Sequence, residues 1–388
     1  MDDLPFDVTK LDTLLEEAGA EAVLATTKPN VQYLLGGYRY FFFEGGDAIG
    51  LDRYLPVVGY VKGRPEDAFY VGAGNENWGL EVHPIWVPRC DTTSWTAEAA
   101  ARVAAASLTA AGLEAATIAL ERAFFPVSAM EVLHKQLPNA QFVDATALLQ
   151  ELRAVKSAAE LEQMRAGAAA VVDAVLATFQ ALALGDRELD VVQRLRVEQT
   201  SRGLGFDYAL INTGTKVGRA PSTRRVQAGD TICLDTAGYY YGYLADMARM
   251  AVVGEPTPLL TGLYEEIETV QQAARSPIRQ GVSGGEIYKA VAVALQGCPH
   301  RSEMTFLAHG MGLIPHEAPH LTASGAIPYP ATHAERPLEA GMVLSIETHM
   351  VHPNVGFVKL EDTVAVTKEG WEAFGDWGRG WNMAGSAR

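Results

Sequence analysis

Disulfide bonding, membrane insertion and nucleic-acid binding all lack their signatures in this chain. Cys90, Cys233 and Cys298 are the only cysteines, an odd and widely spaced set with no C-x-x-C pair. They suggest neither a disulfide framework nor a thiolate zinc site. No apolar run reaches the roughly 18 residues of a helical membrane span. The opening MDDLPFDVTK has neither the basic nor the apolar region of a signal peptide, so cytoplasm is the expected compartment. Basic residues are in deficit, 31 against 47 acidic ones, for a net charge of −16. That balance argues against nucleic acid or an anionic membrane as a partner. The Gly cluster in QGVSGGEIYKA lacks the G-K-[ST] of a phosphate loop, and no tandem repeat is present.

What remains is the composition of a soluble globular protein, 48% hydrophobic and 20% charged over 388 residues, long enough for two or three domains. The first part alternates helix and strand. Leu11, Leu14 and Leu15 mark a helical face ending near Gly19, and AVLAT opens a strand. KPN is expected to turn the chain into VQYLL. The aromatic run Tyr38 to Phe43 is expected to form a buried strand or subunit interface, or to line a site for a cationic ligand. LPVVGYV, AFYVGAG and TIALER predict strands, and residues 97–111 and VSAMEVLHKQL predict helices. This is an α/β domain over residues 1–153. A capping box, Ser157 with Glu160, starts a long helix expected to run to Gly185. A second helix covers VVQRLRVEQ, and a third starts at a capping box of Ser283 and Glu286. The Gly- and Trp-rich end predicts little regular structure beyond the end of a strand.

The second part is organised by TICLDTAGYYYGYLADMARMA, residues 231–251, which reads as a β-hairpin. Each arm carries an acid where a buried strand should be apolar, Asp235 and Asp246. A lone buried carboxylate costs several kcal/mol unless paired or bound to a cation, and two brought together repel. Downstream, AHGMGLIPHEAPH holds His309 and His316. The strand GMVLSIETHMV sets Glu347 on one side with Ser345 and His349. In GFVKLEDTVAVT, alternation groups Glu361 with Lys359 and Thr363, and sends Asp362 to the side of Leu360 and Val364. Carboxylate oxygens with one imidazole suit Mn, Co, Fe or Zn, and four carboxylates carry more charge than one divalent ion neutralises.

The order D-x10-D, H-G-x-G-x-x-x-H-E, I-E, L-E-D-T-V resembles the pita-bread metallohydrolases, which include methionine aminopeptidase, aminopeptidase P, prolidase and creatinase. KPNVQYL and LRAVKS resemble the N-terminal domain of the creatinase and prolidase branch. The resemblance implies an α/β N-terminal domain over 1–153 plus an α+β pita-bread catalytic domain over 154–388. It implies two divalent metal ions (Mn, Co, Zn or Fe) on Asp235, Asp246, His309, Glu347 and Glu361, with Asp246 and Glu361 bridging. A metal-bridging hydroxide would attack the substrate carbonyl, His316 would contact that carbonyl or its oxyanion, and Glu347 would carry the proton to the leaving nitrogen. The substrate would be a short peptide or other small molecule, and the assembly a homodimer.

Three features depart from the family pattern. The loop NTGTKVGRAPSTRRVQAGD has no substrate-contacting His, and Arg219 stands in its neighbourhood. Thr305 replaces a second His, and Lys359 replaces an Arg two positions before the last Glu. Lysine keeps the charge and loses the bidentate fork. Arg219 and Lys359, with His316, are therefore expected at the substrate. Xaa-Pro cleavage is the leading expectation. The alternative is a non-peptidase relative, such as one similar to the dimethylsulfoniopropionate lyase branch, and a non-catalytic binding protein is a third.

Overall fold

The computed structural model describes residues 4–43, 46–49, 51–324 and 329–384. The chain divides into two compact units, Met1–Arg153 and Ala154–Arg388. In the first, a six-stranded sheet runs in the order Arg89–Asp91, Phe69–Val71, Val57–Val61, Ala22–Ala25, Thr117–Leu120, Gln141–Asp144. Val57–Val61 is antiparallel to both of its neighbours, and the remaining pairs are parallel. The Ala-rich helix Ala97–Ala110 and the helix Val127–Gln136 supply much of the core with it.

Two local expectations in this unit fail for identifiable reasons. KPN does not turn the chain into VQYLL; the whole of KPNVQYL is the helix Lys28–Leu34, with Pro29 in its first turn. Proline is pre-set for that position. Buried Glu121 seals the helix start, accepting from Thr26 N (2.6 Å), Thr27 N (2.9 Å) and Asn30 Nδ2 (2.6 Å), an anion at the positive end of the helix. The aromatic run is not a strand either. Phe41–Phe43 form a 3-10 turn, with Phe41 and Phe42 53% and 55% exposed. The tyrosines set this course, because a partly buried phenol needs a hydrogen-bond acceptor. Tyr38 donates to Glu76 (2.9 Å) and Tyr40 to Asn75.

The second unit is built on an eight-stranded sheet and four helices of seven or more residues among the described residues, labelled here in chain order. They are α1 (Ala158–Gln180), α2 (Glu188–Ser201), β1 (Gly205–Thr213), β2 (Thr231–Tyr240), β3 (Tyr243–Val253), α3 (Pro258–Arg275), α4 (Gly285–Leu295), β4 (Met304–Gly310), β5 (Val343–His352), β6 (Gly356–Val366), β7 (Trp371–Phe374) and β8 (Trp381–Ala384). The sheet order is β4-β5-β6-β3-β2-β1, with β7 on β6 and β8 on β3. The Ser157–Glu160 capping box is formed, but α1 stops at Gln180 rather than Gly185. Ser283 does not cap α4, whose N-cap is Gly284 without a side-chain bond. Helix α3 is not among the helices expected from the sequence. The Trp-rich end forms two short strands, β7 and β8.

The hairpin expected at 231–251 is β2–β3. Tyr241 and Gly242 turn it with φ of 49° and 87°. Two successive positive φ values match the right-handed twist of the flanking strands. One face of the sheet is fastened to helix α3 through Asp362. Burial works against its ionisation, but Arg249, Arg379 and Arg275 outweigh that and hold its carboxyl well below the usual range. The guanidiniums of Arg275 and Arg379 lie 2.7 and 2.6 Å from Asp362 Oδ2, and Gln271 Nε2 donates to the same oxygen at 2.9 Å. Asp362 therefore anchors the layers, and its neighbour Glu361 faces the opposite side.

Candidate metal centre

Strand register alone gathers the acids. Asp235 lies opposite Ala248 and Asp246 opposite Ala237. Ala248 lies opposite Glu361, Glu361 opposite Glu347, and His309 opposite Ser345. Residues directly across a ladder share a face, so the period of two sets Asp235, Asp246, His309, Glu347, Glu361 and Lys359 on one side. Their side chains form two clusters. Ligand atoms of Asp235, Asp246 and Glu361 lie within 4.8 Å of one another, as do those of His309, Glu347 and Glu361. Glu361 belongs to both.

The electrostatics are those of a site short of cations. Asp246 is pushed up to about 7 by burial and by the Asp235 charge. Glu361 is raised well above the ordinary range by burial and by Asp246. Asp235 Oδ1 is buried with no hydrogen-bond partner. Orphaned carboxylate oxygen beside strained acids fits a divalent cation. His309 fits too. Burial keeps its imidazole neutral by lowering its basicity. With the Nδ1 proton directed to Gly310 O (3.2 Å), Nε2 presents its lone pair 4.0 Å from Glu347 Oε1.

Neighbouring side chains hold these groups in place. Ser345 Oγ donates to Glu361 Oε1 at 2.8 Å. The Tyr208 hydroxyl lies 2.7 and 2.8 Å from the two oxygens of Asp246. Tyr208 stands on β1, and no pattern in its own segment singles it out from the sequence. His316 stacks on His309 with ring centroids 4.0 Å apart, and its Nδ1 contacts the Tyr329 hydroxyl. Burial, and the His309 imidazole stacked on it, push His316 down to about 4. It is thus a neutral hydrogen-bonding group at pH 7. Tyr329 is a second neighbour absent from the sequence reading.

Arg219 and Lys359 sit deeper than expected of residues that meet only substrate. Arg219 reaches back to Asp235 Oδ2 and lies over the Phe357 ring. The Lys359 ammonium is 2.6 Å from Asp235 Oδ2, 2.5 Å from Glu347 Oε2 and 2.7 Å from Glu361 Oε2. Burial disfavours that ammonium, but Asp235, Glu361 and Glu347 outweigh it and raise its affinity for the proton well above normal. Lys359 in turn keeps Glu347 ionised against its own burial.

The glycines of HGMG allow the His309 strand to meet the following loop. A Cβ on Gly310 would lie 2.3 Å from Pro319 N, and one on Gly312 2.2 Å from Glu317 Oε1. Glu317 is itself buried in an ion pair with Lys156 at 3.1 Å. Gly310→Ala is expected to destabilise the fold by about 1–3 kcal/mol, since backbone rather than a flexible side chain must yield. Chemical denaturation measures it. A midpoint equal to that of the wild type would show that the loop accommodates the methyl.

The chain matches two family descriptions, the Creatinase/Prolidase N-terminal domain over residues 8–155 and metallopeptidase family M24 over residues 162–368. The Xaa-Pro dipeptidase of Lactobacillus delbrueckii subsp. lactis is 26% identical over 389 residues, spanning 95% of this chain and 96% of its own. The Xaa-Pro dipeptidase of Pyrococcus horikoshii is 23% identical over 381 residues, spanning 95% and 97%. Among solved structures, the Xaa-Pro dipeptidase from Bacillus anthracis superposes with a TM-score of 0.79 at 21% identity, covering 97% of this chain and 98% of that one. The prolidase from Pyrococcus horikoshii gives 0.74 at 21% identity, covering 95% and 97%. The structural likenesses support the pita-bread fold. The chain belongs to metallopeptidase family M24, in its creatinase and prolidase branch, and is a metallopeptidase-like hydrolase of a family that uses divalent metal.

Proposed function

We propose that the chain is an Xaa-Pro dipeptidase or aminopeptidase P-like peptidase acting on short peptides. The observation that carries this is the pair of carboxylate clusters sharing Glu361, with neutral His316 stacked beside them. The Xaa-Pro dipeptidases at 26% and 23% identity, similar over nearly their whole length, supply the substrate class. Two divalent ions are proposed, manganese first, with cobalt, zinc or iron as alternatives. Asp246 and Glu361 would be shared between them, Asp235 would hold one, and His309 with Glu347 the other. Bound there, such ions supply Lewis-acid activation of water and of the scissile carbonyl.

The chain's own residues do the rest. His316, neutral at working pH, donates a hydrogen bond to the carbonyl oxygen as negative charge grows on it. Glu347 takes up the proton released from water and delivers it to the prolyl nitrogen, which must accept one before it can leave. Arg219 and Lys359 are proposed to meet the substrate's charged ends as well as Asp235. A cytoplasmic homodimer without nucleic-acid or membrane partners completes the reading.

Proline release from Xaa-Pro dipeptides or Xaa-Pro-Yaa tripeptides by manganese-loaded protein tests the proposal. Release that stops on chelation is the expected result. The absence of a histidine from the loop carrying Arg219 favours a second reading, a non-peptidase relative cleaving another small molecule. Turnover of betaines or sulfonium compounds, with no proline release from either peptide class, would establish that reading instead.

A further inference from the structure

We infer that the first unit carries a small-molecule site of its own: a tyrosine-lined cavity, backed by buried Glu76, that takes the ammonium group of a small zwitterion of the α-amino-acid class. Its residues all lie between Lys28 and Glu76, within one unit, and it does not rest on the proposed metal centre.

The observation is a buried acid with no counter-ion. Glu76 is 0% exposed. It accepts from the hydroxyls of Tyr38 (2.9 Å), Tyr70 (2.6 Å) and Tyr54, and from Ala73 N (2.6 Å). None of these partners is a lysine, arginine or histidine, and no ion pair to Glu76 is present among the described residues. Gly72 clears the place, since a Cβ there would lie 2.6 Å from Glu76 Oε1. The hydrogen bonds satisfy the carboxylate oxygens but leave a buried charge that folded proteins ordinarily pair. Protons also run short. A phenol has one to donate, and Tyr38, Tyr54 and Tyr70 each direct theirs to Glu76. The Tyr54 and Tyr70 oxygens nonetheless approach to 3.1 Å, two acceptors with no further proton to share. A donor that carries positive charge supplies both deficits.

Beside this cluster lies a cavity of about 40 Å3, lined by Tyr38, Tyr40, Tyr54 and Tyr70 together with Lys28 and Arg39. It has room for more than one water, for which about 10–15 Å3 suffices. Tyr40, Tyr54 and Tyr70 are buried, whereas Lys28 and Arg39 are exposed, so the cavity runs from a cationic mouth to a tyrosine floor. A bare cation is repelled at that mouth, and a bare anion meets the Glu76 charge behind the floor. A zwitterion suits both ends. Its ammonium gains from the phenol rings and donates to their oxygens. Its carboxylate meets Lys28, whose 3.0 Å bond to Asp47 joins two solvent-exposed groups and is weak enough to exchange. Burial, and then the Glu76 charge, raise the Tyr38 and Tyr54 hydroxyls and push Tyr40 up to about 12, so the floor stays uncharged at working pH.

Calorimetric titration of the full-length protein, kept in chelator so that no metal contributes, tests the site with glycine and L-alanine as probes. Ethylamine, which lacks the carboxylate, and N-acetylglycine, which lacks the ammonium, are the controls. The wild type is expected to bind one molecule of either amino acid, at least about tenfold more tightly than either control. Glu76→Gln keeps an acceptor for the phenols and removes the charge, and should weaken glycine binding by about tenfold or more. Lys28→Met should bring glycine down to the affinity of ethylamine, and it is the variant to use should Glu76→Gln not fold. No saturable binding of glycine or L-alanine up to about 50 mM would overturn the inference. So would an unchanged affinity in Glu76→Gln, or in Lys28→Met where that variant is used, since the amino acid would then be held elsewhere. Ethylamine or N-acetylglycine binding as tightly as glycine would overturn it too, because the site would then read one charge and not two.

Discussion

Asp246→Asn is expected to abolish divalent-ion binding and peptide turnover together while making the ion-free protein more stable, not less. Asp246 is buried beside Asp235, and in the absence of an added cation its carboxyl is pushed up to about 7. An unfolded aspartate ionises near 3.9. The folded chain therefore binds more protons than the unfolded chain between these values. Stability must fall as pH rises through that window, and the penalty is complete above about pH 7. Asparagine removes the charge and keeps a partner for the Tyr208 hydroxyl, so no buried donor is orphaned. Above pH 7 the variant should gain up to about 4 kcal/mol in chelator, by the same linkage. Its kcat/KM with manganese should drop by about a thousandfold or more, because a carboxylate proposed to hold the ions is gone. Thermal melts with chelator at several pH values, paired with metal titration, check both halves. A variant that loses activity and stability together would mean that Asp246 is a structural acid.

Asp362→Asn should do the opposite. Its carboxylate is buried among Arg249, Arg275 and Arg379, and removing it takes the acid facing Arg249 and one of the acids facing Arg275 and Arg379, which also pair with Asp376 and Glu268. Breaking such a buried network costs about 3–5 kcal/mol. Because the Asp362 pKa is depressed in the folded state, its contribution is present above pH 4 or so and is lost as pH falls through the lower folded value. Urea unfolding at neutral pH should show the loss, and the folded fraction should retain its metal affinity. Equal stability of variant and wild type would contradict the anchoring role. Acids on the two faces of one sheet thus predict opposite phenotypes, since Asp246 shares the face of Glu361 and Asp362 lies on the other.

That split was legible in the sequence, because strand alternation depends only on a period of two. The hairpin was legible from the β-branched and apolar residues on both sides of a Gly-aromatic turn, and the two acids inside its strands called for a partner. The five candidate ligands lie together in the structure as their order along the chain suggested. Their roles nonetheless follow from family resemblance and chemistry rather than from position. Other features left no local trace. Tyr208 reaches Asp246 only because β1 lies beside β2, a pairing that nothing in GFDYALINT announces. Lys359 shares the face of Glu361 in any strand reading. That its ammonium also bridges Asp235 and Glu347 depends on two other strands. The aromatic run misled because consecutive aromatics suit a buried strand, and Glu76 and Asn75, which fix its tyrosines, come more than 30 positions later. KPNVQYL misled because Glu121, the anion at that helix start, is about 90 positions away.

The cluster on the active face is proposed to be a divalent metal centre that hydrolyses peptides. The most direct test measures metal content and proline release on the same samples, through graded chelation and reloading with manganese. Release should rise and fall with the occupancy of the protein, and Asp246→Asn should show neither metal nor release. Full proline release from metal-free protein, or from Asp246→Asn, would contradict the account.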